Sequence, residues 1–312
     1  MRVIVHGGAG GAPDDPEPRQ AVLDEAAARG ADAATPLDAV ESAVAVLESD
    51  PRFNAGVGGA VQSDGVVRTD AGVMTSDREI GAACSMPGVE HAASVARIVR
   101  DETPHVFVSG EHAVELAAEF GVETGAALLT DETRERYEAE DPPRGGPREH
   151  LDWLASRFGS GDDRAGERPD DGDGTGVEAS GRASDHDTVG AVATDGERVA
   201  AVTSTGGRSF ALAGRVGDVP QVGSGFFCTE AGGASATGAG EDIARVTLSR
   251  RAVGHLDDGL GAQEAADRAI AEFEELTGSG AGVIVLDPTA AGADAAGSAF
   301  NTEGMQTSVA HE

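Results

Sequence analysis

Between Gly159 and Asp187 the chain carries nine carboxylates, three arginines and a single large aliphatic residue, Val177. Such a stretch buries too little apolar surface to offset the entropy lost on ordering it. It therefore divides the 312 residues into two blocks that must fold around it. The shift toward Pro, Gly, Arg and acid begins near Glu138, so a linker is expected over about residues 139 to 187. Within it, Asp171, Asp173, Thr175 and Gly176 mimic the start of a calcium loop. The twelfth position is Arg182 where a bidentate glutamate belongs, which leaves a solvated acidic linker as the reading.

The first block alternates short β-type runs with helical patterns. It opens on the strand-like Arg2-Val3-Ile4-Val5. Thr35-Pro36-Leu37-Asp38 supplies a cap, a proline at the first helical position and an acid three residues after the cap. Leu37, Val40, Val44 and Leu47 then recur on one face, which predicts a helix ending near Ser49. Further helices are expected from Pro16 to Arg29, His91 to Asp101 and Glu111 to Phe120, and strands at Val66 to Thr69, Ile80 to Cys84 and His105 to Val108. In the second block, Val189 to Ala193 and Val199 to Thr203 read as a hairpin around Asp195-Gly196. Helices follow near Glu241 to His255 and Ala262 to Leu276, and Gly282 to Leu286 reads as a buried strand. No solenoid-length repeat is visible.

Composition limits the partners. There are 55 Asp plus Glu against 23 basic residues, a formal net charge of −32. Nucleic acid and anionic membrane surfaces both require a basic face that this chain lacks. Leu, Ile, Val and Phe make up 60 residues, about 19%, which at this charge falls in the range of disordered chains. All 23 basic residues are arginine, however. An excess of carboxylates without lysine fits a protein kept soluble in concentrated salt, where screening shortens to about 3 Å at 1 M. The absent lysines also exclude Schiff-base chemistry, Ser-Lys dyads and the phosphate loop ending in Gly-Lys-Ser/Thr. Cys84 and Cys228 show neither disulfide nor zinc spacing, and the eight histidines show no metal-ligand pattern. With no membrane-length apolar run and no signal-like start, a cytoplasmic location is expected.

Order resumes abruptly at His186-Asp187-Thr188-Val189-Gly190. A threonine hydroxyl is a weak nucleophile unless a base stands beside it, and its own α-amine, of pKa about 7.7 to 8.0, is such a base. That requires Thr188 to begin a chain, hence scission of the Asp187–Thr188 bond. The alternative is an ordinary β-branched residue opening a strand.

Seven runs bear on that choice: His6-Gly7-Gly8-Ala9-Gly10, Phe53-Asn54-Ala55-Gly56-Val57-Gly58, His186-Asp187-Thr188-Val189-Gly190-Ala191-Val192, Thr203-Ser204-Thr205-Gly206-Gly207, Gly214-Arg215-Val216-Gly217-Asp218, Ala236-Thr237-Gly238-Ala239-Gly240-Glu241 and Phe300-Asn301-Thr302-Glu303-Gly304-Met305. In content and order they resemble the N-terminal nucleophile hydrolases of the plant-type L-asparaginase, isoaspartyl peptidase and aspartylglucosaminidase family, over roughly residues 1 to 120 and 186 to 306. The only two asparagines of the chain, Asn54 and Asn301, both fall inside these runs.

The resemblance implies a four-layer αββα sandwich, an α+β fold. One domain would be built from an α part of residues 1–187 and a β part of residues 188–312. It implies Thr188 as the nucleophile, cut free from Asp187 by its own attack, with Thr205 orienting its hydroxyl. Arg215 would bind the substrate α-carboxylate and Asp218 the α-ammonium. Thr237 and Gly238 would form the oxyanion hole, Asn54 would stand at the nucleophile, and Gly240 would approach the substrate through its backbone. No cofactor is implied beyond a structural sodium ion held by the carbonyls of Leu47, Glu48, Asp50, Phe53, Ala55 and Val57. The implied assembly is an (αβ)2 heterotetramer of two self-cleaved precursors acting on small molecules.

Two features divide the substrate assignment. His186-Asp187-Thr188 is the run typical of aspartylglucosaminidases, whereas Thr205-Gly206-Gly207 looks like the asparaginase and isoaspartyl peptidase branch. The second is preferred, because a cytoplasmic cell has more need to clear asparagine and isoaspartyl dipeptides than N-linked glycopeptides. His6-Gly7-Gly8 also resembles the oxyanion loop of lipases, but no Gly-x-Ser-x-Gly elbow accompanies it. The remaining reading from another class is an uncleaved acidic binding protein of the same fold.

Overall fold

The computed structural model describes residues 1–13, 15–158 and 188–311. Its strands are β1 Arg2–Gly10, β2 Arg68–Thr75, β3 Ile80–Pro87, β4 Phe107–Ser109, β5 Val189–Thr194, β6 Val199–Thr205, β7 Phe226–Thr229, β8 Gly232–Gly238, β9 Ala281–Leu286, β10 Ala296–Phe300 and β11 Gly304–His311. Seven form one sheet in the order β11-β1-β5-β6-β2-β3-β4, and four form a second in the order β10-β9-β8-β7. All neighbouring strands are antiparallel except β3 and β4. The described helices are α1 Pro16–Ala31, α2 Pro36–Glu48, α3 Ala92–Glu102, α4 Glu111–Glu119, α5 Asp131–Ala139, α6 Pro147–Phe158, α7 Gly240–Val246, α8 Leu248–Asp257 and α9 Ala262–Thr277.

Strand alternation explains how these elements meet. Val3 and Val5 of β1 join a core with Leu23 of α1 and Val40, Val44 and Leu47 of α2. Ile4, between them, turns to the other face and packs with Phe226, Cys228, Ile284 and Leu286 of the second sheet. Val283 and Val285 of β9 face away from that interface into a third core with Val253 of α8 and Ile270 and Phe273 of α9. Both faces of the central strands are therefore covered, which is why they read as continuous apolar runs. Each large side chain so buried contributes roughly 1.5–3 kcal/mol. Thr35 caps α2 as expected, accepting from the Asp38 amide at 3.2 Å ahead of Pro36.

Several elements differ from the sequence expectation. The helix expected over Glu241 to His255 is two helices, α7 and α8, broken at Thr247, which adopts φ 54° and ψ 59°. The break persists because the Ser249 and Arg250 amides bond to Ser224 and Gly223 carbonyls rather than along a helix. The strand expected at Val66 begins at Arg68, Val67 making only an isolated bridge to Val61. Strands β7, β8, β10 and β11 escape sequence reading, since Gly, Ala and Ser in them look like loop. Packing demands those small residues: a Cβ on Gly233 of β8 would fall 2.7 Å from Val192 Cγ1, and one on Gly297 of β10 would fall 2.4 Å from the Ala262 backbone. The same small residues resolve the compositional hint of disorder for the described residues, because much of each core is alanine.

The stretch expected as a linker from about residue 139 requires correction. Helix α6 lies within it, and Trp153 and Leu154 of that helix pack against a cluster of Val61, Val67, Leu128 and Phe210. Residues 159–187, including the calcium-loop mimic, lie outside the described residues. No helix among the described residues is long and apolar enough to cross a membrane.

Candidate active site

Thr188 stands at the entry to β5, between β1 and β6, and is buried. Its hydroxyl donates to Thr205 Oγ1 at 3.3 Å. Thr205 Oγ1 also accepts from the Gly207 amide at 3.1 Å and donates to the Asn54 carbonyl at 3.4 Å. With its one proton so directed, Thr205 acts toward Thr188 as an acceptor, which fixes the orientation of the Thr188 hydroxyl.

Asn54 meets Thr205 through its carbonyl and turns its side chain to the neighbouring loops. Its side-chain amide donates to the Gly207 carbonyl at 2.7 Å and accepts from the Ala60 amide at 2.8 Å, so it holds the loop on which Thr205 ends. Asn301 does the same beside Gly238, whose register partner is Ala281, bonding the Ser279 carbonyl at 2.9 Å and the Ala281 amide at 2.7 Å. Both asparagines therefore clamp glycine-rich loops. Arg19 of α1 donates to the Gly7 carbonyl and lies 4.6 Å over the Phe53 ring, tying the first two motif runs together.

One cavity is lined by Thr188, Thr205, Gly207, Arg208, Arg215, Gly217, Asp218, Val219, Gly238 and Gly240. Six residues singled out from the sequence thus meet in it. Thr237 lies behind this wall, fully buried, its Oγ1 accepting from the Ala9 amide at 3.3 Å. Gly240 must lack a side chain, since a Cβ there would fall 2.7 Å from Asp218 Oδ1 and 2.8 Å from Arg215 Nη2. Asp187 lies outside the described residues.

The charges are arranged unevenly. Arg215 donates from Nε and Nη2 to Glu241 at 2.9 and 2.8 Å, so one edge of its guanidinium is already filled. Burial opposes ionisation of Glu241, but the paired Arg215 outweighs it and holds the carboxyl at about 2. Asp218 is buried with Oδ2 unpartnered, and desolvation pushes its pKa up to about 7. Asp70 of β2, which pairs in register with Thr205, is raised to about 7 by the same cause and accepts from the Ser85 amide at 2.7 Å. His6 bonds Ser235 Oγ through Nε2 at 2.9 Å, and burial drives its pKa down to about 3, so this imidazole is neutral.

Glu241, Asp70 and Arg208 received no role from the sequence. The available signal for Asp70 was a carboxylate inside an otherwise apolar strand. That for Glu241 was its place at the end of a motif run.

Among the described residues no group of three or more His, Cys, Asp or Glu side chains is placed to hold a metal ion. The 47–57 loop offers backbone oxygens instead. Its Glu48 and Asp50 carbonyls turn inward to accept from the Val57 and Phe53 amides at 2.9 and 3.1 Å, and Gly56 is pressed against the Glu48 carbonyl. Each of these carbonyls keeps a second lone pair, the kind of hard oxygen donor that a hard monovalent cation takes.

A sequence model of the asparaginase family matches residues 1–312. The chain is 33% identical over 298 residues to the isoaspartyl peptidase/L-asparaginase of Macaca fascicularis, covering 92% of this chain and 87% of that protein. It is 36% identical over 296 residues to the plant-type L-asparaginase of Pyrococcus abyssi, covering 92% and 90%. Against the plant-type L-asparaginase of Thermococcus kodakarensis the identity is 36% over 294 residues, covering 91% and 89%. With its motif residues gathered at one cavity and its whole length matched, the chain belongs to the asparaginase family and is a hydrolase.

Proposed function

We propose that the protein is a self-activating amidohydrolase that releases L-aspartate from L-asparagine and from β-aspartyl dipeptides, with Thr188 as nucleophile. The observation that carries this reading is the Thr188 hydroxyl, held 3.3 Å from Thr205 in a cavity that also presents Arg215 and Asp218. A cation and an anion beside one hydroxyl suit a small zwitterion bearing a scissile amide. The names of the relatives support the substrate class.

Activation begins when Thr188 Oγ1 attacks the carbonyl of Asp187. The resulting ester is hydrolysed by water, which leaves residues 1–187 and 188–312 as two chains of one four-layer αββα domain and frees the Thr188 amine. That amine then takes the hydroxyl proton, a role for which His6, its pKa driven down to about 3 by burial, is too weak a base. Thr188 attacks the side-chain carbonyl of the substrate, while the Thr237 hydroxyl and the Gly238 amide bind the developing oxyanion, a donor of this kind being worth about 2.7–4 kcal/mol. Ammonia or the amine of the second residue departs, and water hydrolyses the acyl-enzyme to aspartate.

Asp218 faces the substrate ammonium. Arg215 binds the α-carboxylate through Nη1, the edge left by Glu241. Gly240 approaches through its backbone, and Asn54 positions Thr205. A sodium ion would be held by the carbonyls of Leu47, Glu48, Asp50, Phe53, Ala55 and Val57, stiffening the loop that carries Asn54. The assembly is an (αβ)2 heterotetramer working in a salt-rich cytoplasm, its net charge of −32 tolerated by screening.

A denaturing gel together with aspartate release from L-Asn and β-Asp-Leu in high salt tests the reading. Two fragments and released aspartate are expected, and Thr188→Ala is expected to stay whole. A wild-type chain that stays whole and yields no aspartate would make it an uncleaved binding protein instead.

A further inference from the structure

We infer that helices α5 and α6 form an aromatic clamp that positions the loop carrying Arg215. The chain has one tryptophan and one tyrosine, and both are directed at the same phenylalanine. Tyr137 of α5 stacks on Phe210 with ring centroids 6.4 Å apart and planes 11° apart. Trp153 of α6 meets the Phe210 ring edge-on at 5.9 Å and 67°, within the centroid range of favourable aromatic pairs. Arg136 adds a guanidinium 5.5 Å from the same ring.

Phe210 lies midway along the segment from Thr205 to Arg215, and its φ of 58° is a backbone state that a residue with a side chain holds only when its surroundings impose it. The surroundings here are the clamp and the turn beneath it. The Phe210 amide donates to Val61 at 2.7 Å and the Ala211 carbonyl accepts from Ser63 at 2.8 Å. Tyr137 Oη donates to the Ser63 carbonyl at 3.2 Å. Gln62 then completes the tie to the site, accepting from the Gly214 amide at 2.8 Å and donating to the Arg215 carbonyl at 3.2 Å. Displacing Phe210 would thus loosen Ser63, Gln62 and the backbone of Arg215 together.

The consequence for function rests on the reading that Arg215 binds substrate. Trp153 and Tyr137 touch no reacting group and are positioning residues. They belong to the part that precedes the proposed cut, so helices α5 and α6 of the first chain would stay seated on the substrate loop of the second after cleavage.

The test uses full-length protein in high salt, as Trp153→Ala and Trp153→Phe. Trp153→Ala is expected to cut itself as the wild type does, to raise KM for L-Asn about tenfold, and to leave kcat within about twofold, because misplacement of a binding group weakens ground-state capture first. Trp153→Phe, which keeps a ring against Phe210, is expected to recover most of the wild-type KM. A lowered melting temperature with unchanged KM would overturn the proposal, since a merely structural role would do that. Amide hydrogen exchange across residues 207–215 decides the clamp even if the enzymatic reading fails: faster exchange in Trp153→Ala supports it, and unchanged exchange refutes it.

Discussion

Arg215 and Glu241 form a two-point pair, Nε and Nη2 each meeting a separate carboxylate oxygen at 2.9 and 2.8 Å. Glu241 thereby fixes the direction of the free Nη1 edge and occupies the position a second carboxylate would take. The edge left free suits a single carboxylate of the proposed substrate.

Glu241→Gln keeps the shape and removes the charge. A hydrogen bond to a charged group contributes about 1.5–3 kcal/mol when buried, and the side chain here is 44% exposed, which lowers that figure. KM for L-Asn is expected to rise about tenfold, with self-cleavage unaffected, as measured by steady-state kinetics and a gel time course.

Asp218 predicts a pH dependence. Its carboxyl titrates near 7 in the folded protein against an ordinary 3.8, so below about pH 7 it gains a proton and loses its attraction for the substrate ammonium. KM is expected to climb as pH falls through 7, and Asp218→Asn should abolish that slope, holding KM near the wild type's low-pH level throughout. The stability effect has the opposite sense. A folded pKa above the unfolded one costs stability increasingly between about pH 3.8 and 7 and then at a constant level. Asp218→Asn is therefore expected to melt several degrees higher than wild type at pH 8 and no higher near pH 3.

Gly240→Ala separates turnover from activation. Its Cβ would collide with Asp218 Oδ1 and Arg215 Nη2 at 2.7 and 2.8 Å, the groups proposed to bind substrate, rather than with the Thr188–Thr205 contact. Turnover is expected to fall roughly 100-fold while two fragments still appear on the gel.

Salt should govern stability. At a net charge of −32, self-repulsion reaches over about 10 Å at 0.1 M salt and about 3 Å at 1 M. Melting followed by circular dichroism is expected to shift to lower temperature as salt is diluted, and a flat dependence would show the acidity to have another cause.

Sequence patterning revealed the central strands and the long amphipathic helices because their apolar residues are large and periodic. Three of the second sheet's four strands were illegible for a physical reason: in β8, Gly233 and Ser235 are small because the first sheet lies against them, Ala234 and Ala236 lie in the core under α8 and α9, and small residues in sequence resemble loop. The site was legible through its motif runs, which name Thr188, Thr205, Arg215, Asp218, Gly238 and Gly240. Asp70 was not, since its proximity to Thr205 arises only from the pairing of β2 with β6. Helix α6 was hidden because a charged, Pro- and Gly-flanked segment holds its place with one tryptophan and one leucine.

The order β1-β5-β6-β2 places two strands from beyond residue 188 inside a sheet whose other members, except β11, precede it. A backbone cut ahead of β5 would leave two pieces laced through each other, with neither able to depart without opening hydrogen-bonded ladders on both sides. Refolding after melting would become a meeting of two molecules rather than the closing of one. The durability of the cut protein would then be set by how slowly it comes apart, with recovery dependent on concentration.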